Sequence, residues 1–115
     1  MAGLTSPASA TASVFCTGAG GVSIEIGIGN VPVAAVISTV IVAGDSEFSI
    51  AGGEIAVGQD FIDSERFDID YTDPNVSGVI AQIRIVRASE GEDFVMAGTL
   101  RIKGVGAYAI ICDGI

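Results

Sequence analysis

The sequence predicts an all-β fold: a single-domain antiparallel sandwich, jelly roll or small barrel of about eight strands, carrying a flexible N-terminal arm. Three observations predict it. Half the chain is hydrophobic, yet only 6% is aromatic and there is no Trp. The core must therefore be built from Val, Ile and Ala, and β-branched side chains, stiff at χ1, pack best on a pleated surface. Apolar residues recur with period two, while no helical period outlasts a single turn. Finally, Gly, Pro, Asp and Asn interrupt the chain at short intervals, as turns between strands require. At 115 residues there is material for one core and not two.

Residues 1–12, MAGLTSPASATA, are small and uncharged and cannot bury enough apolar surface to fold alone. They read as an arm, either a frayed terminus or a segment that orders on a partner, with the β-domain following over 13–115. Met1–Ser13 has neither the basic nor the apolar region of a signal peptide. Ser13–Thr17 is a short strand and TGAGG a turn. Val22–Ile28 alternates Val22, Ile24, Ile26 and Ile28 against Ser23, Glu25 and Gly27, the pattern of a half-buried strand. Pro32 opens Val33–Ala43, a strand apolar on nearly every residue. Glu47–Ala51 and Glu54–Val57 are short strands around Gly52-Gly53. Residues 58–66 are acidic and read as a loop or one helical turn. Phe67–Tyr71 alternates fully, and TDPNVSG is a turn cluster. Val79–Ala88 and Phe94–Lys103 form a hairpin around SEGED, and Ala107–Cys112 is the last strand.

Charge narrows the partners. Fourteen acids against five bases leave a net charge of −9. Phosphate backbones and anionic membranes both call for Lys and Arg, so neither nucleic acid nor membrane is an expected partner. Four of the five bases, Arg84, Arg87, Arg101 and Lys103, sit on the two strands flanking SEGED. Paired in a hairpin, Arg84, Arg87, Arg101 and Lys103 would form one mildly basic face, either paired with local acids or meeting an acidic patch on a neighbouring subunit.

The chain has no His, which removes Ser–His and Cys–His nucleophile pairs and leaves zinc ligand sets incomplete. No phosphate-cradling glycine motif is completed. Neither catalysis nor a cofactor is expected. The densest oxygen-ligand set is Asp68, Asp70, Asp73 and Asn75, in DIDYTDPN. It could hold Ca²⁺, although it lacks the glycine and terminal Glu of an EF-hand. The alternative is a solvated strand face followed by a self-capped turn. Cys16 and Cys112 lie on the first and last strands, which are often neighbours in sandwiches and barrels. They are either a disulfide or two buried thiols.

The uncharged stretch Ile26–Gly44 is nearly long enough to span a membrane, at about 20 residues. Asn30, Pro32 and its β-branched content make it two strands instead. The second, apolar on both faces, must be covered on its back by the arm, a loop or another subunit. This points to self-association through Val33, Val36, Ile37, Val40, Ile41 and Val42.

A small acidic β-domain, a Ser/Thr/Ala arm and a doubly apolar strand resemble, in general type, the decoration or cement proteins of tailed-bacteriophage capsids. No diagnostic motif is shared. The resemblance implies a homotrimer on the capsid exterior of the virion. Its attachment to the major capsid protein would run through the arm (Leu4, Thr5, Pro7) and the base of the domain. Other readings of the same features are an extracellular filament or surface-layer subunit using strand complementation, and a Ca²⁺-dependent binding module.

Overall fold

A computed structural model of the chain describes residues 12–29 and 34–114. Among them are nine strands and no helix: β1 (Ala12–Gly18), β2 (Val22–Gly29), β3 (Ala35–Ala43), β4 (Ser46–Ser49), β5 (Ala56–Ile62), β6 (Arg66–Thr72), β7 (Val79–Glu90), β8 (Asp93–Ile102) and β9 (Gly106–Gly114). They form one sheet, in the order β4-β3-β2-β1-β9-β8-β7-β6-β5, with every neighbouring pair antiparallel. The chain is all-β and antiparallel as expected; in place of a clear sandwich or jelly roll, a single sheet curls into a half-barrel. One sheet can bury its own apolar face by curling because alternate residues of every strand point to the same side.

The topology is two meanders, β1–β4 and β5–β9, joined where the first strand pairs with the last. Cys16 and Cys112 are register partners on that seam and form a disulfide, with Cα atoms 4.0 Å apart. Both sulfurs face the interior.

The interior is a stack of side-chain rows running across the sheet. One row is Met96, Cys112, Cys16, Ile24, Ile41 and Phe48; another is Ile69, Ile83, Leu100 and Tyr108. Phe67, Ile69, Tyr71, Ile83, Ile85 and Leu100 are fully enclosed, each contributing roughly 1.5–3 kcal/mol of burial. Gly98 is what allows the bend between β7 and β8. A Cβ there would stand 1.7 Å from the Arg84 carbonyl oxygen, so no other residue permits this approach. At the hairpin tip Gly91 has φ of 61°, a left-handed conformation that glycine adopts without strain.

Where the sheet comes around, β3 and β5 face each other without forming a ladder. Among the described residues, a hydrogen bond from β3 to Asp60 of β5 and one from β3 to Tyr71 of β6 hold the two sides together. The Val36 N–H donates to Asp60 Oδ2 at 2.8 Å, and the hydroxyls of Thr39 and Tyr71 lie 2.7 Å apart.

Several segments differ from the sequence reading. Glu54–Val57 is not a strand of its own, since β5 begins at Ala56, and of SEGED Ser89 and Glu90 close β7 and Asp93 opens β8. Residues 58–66, expected as a loop or helical turn, contribute most of β5, because a bulge at Gly58 lets the acidic strand pair with β6. Ala12, placed in the arm, opens β1; residues 1–11 lie outside the described residues.

Candidate interaction surface

The outer face of the sheet carries the complementary set of alternate residues, and the ladder registers order them into rows. The longest crosses eight strands: Arg66, Val86, Ala97, Ile111, Thr17, Ser23, Val42 and Glu47. Charges stand only at its ends. Its middle is apolar and open to solvent, with Val86 62% and Ile111 73% exposed. One row to one side lie Asp113, Phe15, Glu25 and Val40; one row to the other lie Asp68, Arg84, Thr99 and Ala109. Phe15, Glu25 and Val40 line a shallow groove of about 190 Å³.

The β6–β7 part of this face is an ion-pair network. Arg84 Nη2 lies 2.9 Å from Asp70 Oδ1, Arg84 Nε 4.0 Å from Asp68 Oδ1, and Arg66 Nε 3.4 Å from Asp68 Oδ2. Gln82 donates to Asp70, and Arg101 donates to Gln82 at 2.8 Å. Arg84 and Arg101 thus lie on the outer face, as expected of a basic patch, and are held there by local partners. Lys103 sits in the turn after β8. Leu4, Thr5 and Pro7 lie outside the described residues.

The four oxygen-bearing residues named as a Ca²⁺ candidate have the following partners. Asp68 and Asp70 are committed to Arg66 and Arg84. Asp73 faces its own turn, accepting from the N–H groups of Asn75 and Ser77 and from the Ser77 hydroxyl. The Ser77 hydroxyl, and then its backbone N–H, hold the Asp73 carboxyl below the usual carboxylate range. Among the described residues no group of three or more His, Cys, Asp or Glu is placed to hold a metal ion. The strand face and the capped turn use these oxygens for other purposes.

The apolar strand was expected to pack one face inward and to need cover on its back. Thr39, Ile41 and Ala43 point inward, Ile41 fully enclosed, and Val36 packs on the same core. A bulge between Gly27 and Ile28 of β2 resets the register there. Ile41 and Val36 therefore serve the interior and cannot meet another copy. Val40 and Val42 face outward half-buried, Ile37 is exposed, and Val33 lies outside the described residues. The open apolar surface is centred on Val86, Ala97 and Ile111. The pattern reading of the last strand, AYAIIC, left no signal for this: its outer residues become conspicuous only when three strands are laid side by side.

At one end of the half-barrel, Ser64, Glu65, Arg87, Ala88, Ser89 and Phe94 line an open cavity of about 630 Å³. Arg87 spans the rings of Phe67 and Phe94, at 5.7 and 5.2 Å from their centroids, so its charge is used to fasten the β7–β8 ribbon to the core.

No protein-family model, no curated protein and no solved structure matches this chain.

Proposed function

We propose that this chain is a structural assembly domain, and specifically a decoration or cement protein that reinforces a capsid lattice by burying surface against its neighbours. The observation that carries this reading is the uncharged crest Val86–Ala97–Ile111 on the outside of a protein of net charge −9. Exposed apolar surface flanked by charge is how interaction faces differ from ordinary surface. Many copies with modest individual contacts bind a lattice strongly through multivalency. Residues 1–11 would add a second attachment point.

The test is fractionation of particles from the source by density gradient, with mass spectrometry of the bands. Presence of the chain in fixed proportion to the shell protein supports the proposal. Its confinement to soluble fractions overturns it. Removing residues 1–11 should leave the β-domain folded and lower its occupancy on the particle.

One observation favours a second reading, an extracellular surface-layer or filament subunit. The buried disulfide of Cys16 and Cys112 is of a kind that persists in oxidising surroundings. The same fractionation separates the two, since a surface subunit would appear with the cell envelope.

A further inference from the structure

We propose that the outer-face groove between Phe15, Glu25 and Val40 receives an arginine side chain presented by a partner protein. The inference rests on the assembly reading and deepens it, by naming the chemistry of the neighbour that this face meets.

The registers build the site. Phe15 of β1 stands between two acids in one row, with Asp113 of β9 on one side and Glu25 of β2 on the other. Val40 of β3 follows Glu25 in the same row. One row along, Thr17 and Ser23 are register partners and line the same groove. Phe15 is 48% exposed, and Glu25 is exposed beside it. The groove holds about 190 Å³. That is space for one long side chain, since sites for whole small molecules begin at about 300 Å³.

Its walls select the occupant. The face of an aromatic ring attracts a cation, and an adjacent carboxylate adds charge-assisted hydrogen bonds. Among the described residues neither Glu25 nor Asp113 forms an ion pair. The chain's own arginines are engaged elsewhere. Arg66 and Arg84 are held by Asp68 and Asp70, Arg101 by Gln82, and Arg87 stacks on Phe67 and Phe94. Along the sheet Arg84 is four strands from Glu25, roughly 19 Å at the usual spacing. The complementary charge is therefore expected from another molecule, and a chain of net charge −9 draws a basic surface towards it. Arginine suits the groove better than lysine. Its planar guanidinium can lie on the ring while its N–H fork meets the carboxylate, and it is the more weakly hydrated cation. Its methylene stem can pack on Val40. Ile111, 73% exposed and in register with Thr17, offers an apolar shelf to the side chains flanking that arginine.

A peptide titration of the full-length, oxidised chain, followed through its amide resonances, tests this. The probe is acetyl-Ala-Arg-Ala-Ile-Ala-amide, whose extended form puts Arg and Ile on one face. Saturable shifts centred on Phe15, Thr17, Ser23, Glu25 and Val40 are expected. Replacing the peptide's arginine by citrulline, of similar shape without the charge, should weaken binding at least about 10-fold, and lysine should weaken it less. Glu25→Gln should weaken it about 10-fold and Phe15→Leu about 3-fold, while Glu92→Gln in the β7–β8 turn should leave it unchanged. If Phe15→Leu fails to fold, Glu25→Gln decides. Equal loss with Glu92→Gln would mean unspecific attraction to an acidic chain and overturns the proposal. So does a citrulline peptide that binds as well, or the absence of shifts at the groove. Groove amides that move with protein concentration alone would assign the groove to a second copy. A marked gain in affinity on removing residues 1–11 would assign it to the arm. Either result overturns the proposal as well. Failure here leaves the particle fractionation unaffected, since the chain could band with the lattice through another face.

Discussion

The sheet meets itself in two places, and they are held in different ways. At the β1·β9 seam the two chain ends are joined by a backbone ladder from Val14–Gly114 to Gly18–Ile110, with the Cys16–Cys112 disulfide inside it. Where β3 comes round to β5 and β6 the described residues form no ladder; Val36 donates to Asp60 of β5 and Thr39 meets Tyr71 of β6. A ladder needs strands in register at about 4.8 Å spacing. Eight antiparallel steps separate β4 from β5 along the sheet, so these two edges run in the same direction. The short crossing between them (residues 50–55) cannot make a tight hairpin. The seam is therefore where the fold is stapled, and the gap is where it is latched. The difference teaches that closing a curled sheet does not require uniform pairing. Two well-placed hydrogen bonds can hold one side when covalent and ladder constraints hold the other.

The largest expected effect comes from breaking the seam. Replacing both cysteines by Ala opens a loop spanning almost the whole chain and should cost about 4–5 kcal/mol on the chain-entropy model. Urea unfolding should show a large fall in midpoint, reproduced in the parent protein by a reductant strong enough to reach the buried bond. If the midpoint is unchanged, the seam is held by its ladder alone.

Gly98→Ala should cost several kcal/mol, since its Cβ would collide with the Arg84 backbone on β7. Thermal unfolding checks it; a tolerated alanine would mean the bend does not depend on that approach.

The latch should give smaller changes. Tyr71→Phe leaves the buried Thr39 hydroxyl without its partner and should cost about 1–3 kcal/mol. Tyr71→Phe combined with Thr39→Val should recover much of that loss, because removing both polar groups removes the desolvation penalty. Denaturant titrations of the four species form the cycle. Burial raises the Tyr71 phenol far above its ordinary value, and the nearby negative charge of Asp60 adds to the rise. The folded state thus holds the proton more tightly than the unfolded chain. Stability from this group is fully present below about pH 10 and declines above it, as the unfolded tyrosine ionises. Tyr71→Phe should flatten that alkaline decline.

The smallest effect lies away from both joints. The Asp73 carboxyl is depressed in the folded chain, so its contribution is fully present above about pH 4 and is lost as pH falls through the folded value. The amide resonances of Asn75 and Ser77 should move together in acid. Asp73→Ala should abolish that local titration.

The all-β class, most strand positions and the Asp-Pro-Asn turn were legible in the sequence because they depend on local chemistry. Val22–Ile28 and Phe67–Tyr71 alternate in sequence and lie inside and outside as that alternation requires. So much is set by the two-residue period of a strand and by the special conformations of Gly, Pro, Asp and Asn. That the strands form one curled sheet was decided only by the tertiary structure. Period two says which residues share a face but not what the face meets. The bulge opposite Ile37 and the bulge at Gly58 shift registers that no single strand specifies. The same limit applied to the surface. Val33–Ala43 looked in need of cover because its apolar residues are consecutive in the chain; Ile41 and Val36 pack on the core, while Val40 and Val42 on its back are half-buried and Ile37 is exposed. Val86, Ala97 and Ile111 are spread over three strands. They became a surface only because backbone hydrogen bonds brought those strands together, each presenting one side chain to the same outer row.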